Sequence, residues 1–180
     1  LIGRRDEDLE ELRNRLKPRA TAELVVSTSM ASLSQAQLIL TVTSAIHEVV
    51  HPEHLRPGSV VCDVARPRDV SAMVAAARDD ILVIDGGMVD VPGPVDFHFN
   101  FGFPPGKAYA CMAETMALAL EGRFEDYTLG KEITRQRVEE IAAISERHGF
   151  RVSGFRSFEK EVTQAQIEAV RLNAKRAGRK

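Results

Sequence analysis

The 180-residue chain is short of several features that would narrow its class at once. It has only two cysteines, too few for a disulfide framework. That usage fits a reducing cytoplasm, where each thiol is either core or reactive. No apolar run approaches the roughly 20 residues needed to span a bilayer, and the start has no secretory n-region or h-region. Neither sign of charge dominates: 24 basic residues stand against 26 acidic ones, with a net charge of -2. Nothing in that balance demands a nucleic-acid or membrane partner. Internal repeats are absent. What remains, 44% hydrophobic and 28% charged, is the composition of a globular chain of one domain, or one and part of another.

The chain opens Leu1-Ile2-Gly3-Arg4-Arg5, with no initiator Met. It reads as the end of a buried strand inside a fold. Asp6-Glu7-Asp8 then starts a helix with acidic residues at its positive end, and Pro18 stops it. A strand ending in arginines before a helix matches the second strand of a dinucleotide-binding unit. There, arginines accept the 2′-phosphate of NADP, while an acidic residue would select NAD. A solvated helix entrance is the alternative reading of Arg4 and Arg5. No segment supplies G-x-G-x-x-G, so the chain is expected to be a Rossmann-like unit truncated at its N-terminus.

Short apolar runs at 23–27, 38–43, 59–65 and 81–85 alternate with helical segments. This order predicts an α/β, three-layer domain with a mainly parallel sheet covered on both faces. Asp96 to Phe103 alternates strictly, with Phe97, Phe99, Phe101 and Phe103 on one side. It reads as a half-buried strand or an apolar substrate wall. A helix is expected over 107–120, ended by Gly122, and another after Thr134, ended by His148-Gly149. Residues 151–180 carry eight Lys or Arg against three Glu and read as a basic helical extension. The expected division is therefore 1–150 for the NAD(P)-binding domain and 151–180 for the extension.

His47-Glu48-Val49-Val50-His51 matches the zinc motif H-E-x-x-H. Pro52 biases His51 out of the helical region, so the motif is read as a polar connection and no metal is expected. Of the two thiols, Cys62 lies in a strand and is read as an inert small hydrophobe. Cys111 is placed one turn into a helix, with Lys107 at i−4 and Glu114 at i+3. That setting leaves two readings open, a reactive thiol or a core cysteine.

The stretch Cys62-Asp63-Val64-Ala65-Arg66-Pro67-Arg68-Asp69-Val70 resembles the D-[LV]-A-x-P-R-D-[IV] loop of glutamyl-tRNA reductase and shikimate dehydrogenase relatives. Tyr109 to Met116 resembles the A-C-x-A-E-x-M segment of cyanobacterial-type long-chain fatty acyl-ACP reductases, a group that includes predicted amino acid dehydrogenases. Leu129 to Thr134, with His148-Gly149-Phe150, resembles their ending. The resemblance covers residues 1–150. It implies NADP-dependent reduction of a fatty acyl thioester of acyl carrier protein or coenzyme A to the aldehyde, in the cytoplasm. Cys111 is then the nucleophile. Arg4 and Arg5 match the 2′-phosphate position, and Thr43, Ser44 and Ala45 match the turn beneath the cofactor. Gly86 and Gly87 match the loop near the nicotinamide. Two other functions compete: an NADP-dependent amino-acid or shikimate-type dehydrogenase without a covalent intermediate, and a non-catalytic docking or oligomerisation module. A homo-oligomer is left open.

Overall fold

The structure, a computed structural model, describes residues 1–100, 102, 104–130, 133–158 and 160–177. Contacts divide the chain into two units: residues 1–84 with 163–180, and residues 85–162.

The first unit begins with helix α1 (Asp6–Leu16), whose first turn is acidic and whose last turn holds Arg13 and Arg15. Its only buried residue is Leu9. Pro18 lies in the 3-10 turn that follows. Strands β1 (Leu38–Thr41), β2 (Val60–Asp63) and β3 (Leu82–Asp85) form a sheet in that order, β2 central. β1 and β2 run parallel, Leu38 opposite Val60 and Thr41 opposite Asp63. Helix α2 (Ala72–Ala77) intervenes before β3, capped by the Ser71 hydroxyl, which accepts from Met73 N. Parallel neighbours require such crossovers. The architecture is the α/β, Rossmann-like one that the order of segments predicts.

Two expectations about the strands of this sheet are corrected. Residues 23–27 make no strand. Ser27 forms a single parallel bridge with Ile2, donating to Leu1 O at 3.0 Å and accepting from Gly3 N at 3.3 Å. Pairing along one short edge does not sustain a ladder. The 38–43 run is also not covered on both faces. Ile39 and Thr41 are buried, whereas Leu38 and Leu40 are 75% and 65% exposed.

The second unit holds an antiparallel sheet of order β5-β4-β6, from β4 (Met88–Asp90), β5 (Lys107–Tyr109) and β6 (Arg151–Val152). Helix α3 (Ala110–Leu120) follows β5 directly, and α4 (Arg135–Arg147) packs on it. Thr134 caps α4 by accepting from Arg137 N. Ala113, Ala117, Leu118, Tyr127, Ile144 and Phe150 form the core. A hairpin of β7 (Arg156–Ser157) and β8 (Lys160–Glu161) completes the unit. Helix α5 (Gln164–Ala177) belongs to the first unit again; Asn173 Nδ2 donates to Asp79 O there.

The Asp96–Phe103 alternation does not make a strand among the described residues. The Asp96 carboxylate accepts from His98 N at 2.8 Å, and the Asn100 side chain accepts from Gly102 N at 2.8 Å. Those local bonds hold two turns, with positive φ at His98 and Gly102. Asx turns compete with strand pairing and here they win. Phe99 is 69% exposed; Phe101 and Phe103 lie outside the described residues.

Candidate functional site

In the first unit, the chemistry-bearing residues gather where β1 and β2 end. Asp63, the last residue of β2, is fully buried. Its Oδ1 accepts from Thr41 Oγ1 and Ala65 N at 3.1 Å each, and from Asp69 N at 3.4 Å. Its Oδ2 accepts from Val70 N at 3.1 Å. One carboxylate thus ties the whole Val64–Asp69 loop to its own strand. Asp69, also fully buried, reaches across to the end of β1 and accepts from Thr43 N at 3.0 Å and from the Thr43 hydroxyl. The Thr43 hydroxyl in turn accepts from Ala45 N at 3.0 Å, closing a small turn on which Ser44 is exposed. The two aspartates of the D-V-A-R-P-R-D stretch therefore hold the Thr43–Ala45 turn in place. In open parallel sheets ligands bind at the carboxyl ends of the strands, which is where this turn lies.

Arg4 and Arg5 are exposed at the end of the Leu1–Gly3 segment. Arg5 pairs with Asp8 on the first turn of α1 at 2.6 Å. The H-E-x-x-H stretch is not helical. Val50 is fully buried and bridges Val70 in parallel, both Val49 N and Val50 N donate to Asp69 O, and His51 is extended before the Pro52–His54 turn. Two imidazoles on an extended segment cannot share one helical face. Among the described residues, no group of three or more His, Cys, Asp or Glu side chains converges to hold a metal ion.

In the second unit, the structure revises the setting of Cys111. The helix starts at Ala110, not at Lys107, because 107–109 pairs with β4. Cys111 is therefore the second residue of α3 and lies in its first turn, closer to the positive end than its expected place one turn in. It is exposed. Lys107 is not one helical turn behind it. The ammonium sits on β5, 2.5 Å from Asp90 Oδ1 and bonded to the Ser153 hydroxyl. That ammonium holds the Asp90 carboxyl below the usual carboxylate range. The lysine is a clamp across β4, β5 and the end of β6 rather than a free cation for the thiol.

Gly87 lies against the same helix start: its carbonyl accepts from Ala110 N at 2.6 Å. Its φ is +75°, a left-handed conformation that favours glycine, while a Cβ there would make only ordinary contact with Ala110 Cβ at 3.5 Å. Of the residues singled out in the sequence, the structure thus brings Gly87 beside Cys111, and Thr43 beside Ala45. Arg4 and Arg5 belong to the first unit and Cys111 to the second.

Cys111 opens onto a groove of about 800 Å³ along α3, lined also by Glu114, Leu118, Phe124, Tyr127 and Thr128. The wall opposite α3 is the loop after Gly122, and it is anchored by groups that sequence reading passed over. Tyr127 is buried, its hydroxyl 2.8 Å from Glu140 Oε2 and 3.0 Å from Arg137 O. The guanidinium of Arg137 donates to Tyr127 O, and those of Arg123 and Arg137 lie 5.1 and 5.4 Å from the ring centre. Burial and the neighbouring Glu140 raise the Tyr127 hydroxyl above its ordinary range. Hydrogen bonds from Tyr127 and Arg123 depress Glu140. At the other end of the loop, Glu121 accepts from His148 Nε2 at 2.6 Å and from Arg147, which lowers its carboxyl. The sequence signal for this wall was the helix expected after Thr134, which says nothing of its polar partners.

No family model matches the chain. It is 35% identical over 178 residues to "Aminotransferase PigE" of a Serratia species, a match covering 97% of this chain and 20% of that protein. It is 31% identical over 126 residues to the long-chain acyl-(acyl-carrier-protein) reductase of Synechococcus elongatus, covering 67% of this chain and 36% of the relative. The chain spans about a fifth and a third of these relatives. The first match takes in nearly all of residues 151–180, a segment with no counterpart in the reductase resemblance. No helix among the described residues is long and apolar enough to cross a membrane.

Proposed function

We propose that this chain is part of a reductase-type enzyme in which Cys111 accepts an acyl group from a thioester of acyl carrier protein or coenzyme A. The observation that carries the reading is an exposed cysteine in the first turn of a helix, opening onto a formed groove. The similarity to an acyl-ACP reductase supports it. A thiolate turns a hard acyl reduction into acyl transfer followed by hydride delivery. No side chain caps α3. The first-turn amides of Cys111 and Met112 are therefore free of a side-chain cap and suit the oxyanion that forms as the thioester carbonyl is attacked.

NADP would supply the hydride. Within the first unit, Arg4 and Arg5 suit its 2′-phosphate and the Thr43–Ser44–Ala45 turn suits a position beneath it. The fit is partial, since residues 1–180 hold no G-x-G-x-x-G to cradle a pyrophosphate.

A transaminase reading draws only on the name of a relative of which this chain matches a fifth. Lys107, the half-buried lysine near the site, is already held by Asp90 and Ser153. Mixing the protein with an acyl-coenzyme A tests the proposal. Free coenzyme A should be released stoichiometrically and not by the Cys111→Ala variant. Equal release by the variant would favour a dehydrogenase or a non-catalytic module.

A further inference from the structure

One carboxylate on the groove shares a helix with Cys111. Asp90, Glu121 and Glu140 are each paired with a cation. Glu114 has no cationic partner among the described residues. It lies three residues after Cys111 on α3, a spacing that puts two Cβ atoms on one helix face about 5–6 Å apart. Both residues line the groove. The Thr128 hydroxyl donates to Glu114 Oε1. Oε2 has no hydrogen-bond partner among the described residues. Thr128 follows Tyr127, which is buried and tied to α4 through Glu140 and Arg137. The carboxylate is thus oriented by a loop that is itself anchored, with one oxygen left for the groove. The other charged groups along the groove are Arg123, Glu125 and Asp126, and Arg123 is engaged by Glu125 and Glu140.

We propose that Glu114 is a catalytic residue, the proton carrier of the acyl-transfer step, held in position by Thr128. This rests on Cys111 being the acyl acceptor. The Cys111 thiol proton passes to Glu114 Oε2 as Sγ bonds to the acyl carbon. The bond from that carbon to the carrier's sulfur then breaks. The departing sulfur takes the proton from Glu114, which returns to its carboxylate. The products are an acyl-cysteine and a free carrier thiol, with no net oxidation. A positioned acid–base group contributes roughly 10²–10⁴-fold in rate.

The test compares wild type, Glu114→Gln and Thr128→Val in two reactions followed by intact mass across pH: acylation by octanoyl- or palmitoyl-coenzyme A, and alkylation by iodoacetamide. Alkylation needs the thiolate but expels no thiol that must be protonated. Glu114→Gln should acylate about 10²-fold more slowly near neutral pH, with a pH profile that follows only the ionisation of the thiol. It should alkylate at least as fast as wild type, because a negative charge beside the thiolate is gone. Thr128→Val should show a smaller loss in acylation alone. Wild-type acylation by Glu114→Gln with an unchanged profile would overturn the assignment and leave Cys111 as acceptor. Equal slowing of both reactions would make the role structural and overturn it too. A wild-type protein that is never acylated at Cys111 would remove the underlying reading and this one with it.

Discussion

Replacing Asp63 should separate the loop that carries the D-V-A-R-P-R-D stretch from the strand that holds it. The Asp63→Asn side chain keeps one acceptor oxygen, enough for the bonds from Thr41, Ala65 and Asp69. Its amide group, however, would face the N–H of Val70, donor against donor. The loss is one hydrogen bond to a charged group, about 1.5–3 kcal/mol. For a chain of this size, about 2–4 °C per kcal/mol makes that a fall of roughly 3–12 °C in melting temperature. Asp63→Ala removes every acceptor. It leaves four donors at a fully buried position, each costing about 1–3 kcal/mol if no water replaces the carboxylate. That sum is comparable with the whole stability of a typical domain, so the alanine variant should be largely unfolded. Urea titration by circular dichroism, with thermal melts, measures both. Two variants within about 0.5 kcal/mol of wild type, the range of ordinary surface substitutions, would refute the claim that this carboxylate organises the loop.

Three further outcomes follow from the site and its surroundings. Arg78 binds Asp80 through two hydrogen bonds, of 2.7 and 2.9 Å, and holds its carboxyl below the usual range. A carboxyl depressed in the folded state stabilises above its unfolded pKa of about 3.9, and that contribution is lost as pH falls through the folded value. The urea midpoint of wild type should therefore drop more steeply on acidification below about pH 4 than that of Asp80→Asn. Tyr127→Phe removes the hydroxyl next to Glu140 and should cost about 1–2 kcal/mol in a urea titration, while ultraviolet titration of wild type shows a tyrosine ionising above its ordinary range. Cys111 should react with iodoacetamide faster than Cys62, and Lys107→Met should leave that rate unchanged, because the ammonium is held by Asp90 and Ser153; a large fall in rate would restore the lysine as an activator.

How much of this was legible beforehand differs by element. The runs around Leu38, Val60 and Leu82 are apolar and β-branched, bounded by turns, and they became the three-stranded sheet. The acidic start of α1, the Thr134 cap and the Gly122 and Gly149 helix ends are local chemistry, and each was found in place. Long-range pairing was not legible. The start of α3 moved to Ala110 because β4 captures Lys107–Tyr109, which no residue in that helix announces. The phenylalanine alternation at Asp96–Phe103 has the period of a strand, yet Asp96 and Asn100 close turns within it. At the candidate site, Cys111 could be singled out from its own segment. The Tyr127, Arg137 and Glu140 anchor joins residues 10 and 13 apart across a loop and a helix, so periodicity did not reveal it.

The claim that organises the account is that Cys111 accepts an acyl group. Its most direct test is to locate that group after brief exposure to a labelled acyl-coenzyme A, by digestion at mildly acidic pH and peptide mass spectrometry. The account predicts a single thioester on the peptide containing Cys111, removed by hydroxylamine and absent after prior alkylation of that thiol. Label on Cys62, on lysines, or nowhere would contradict it.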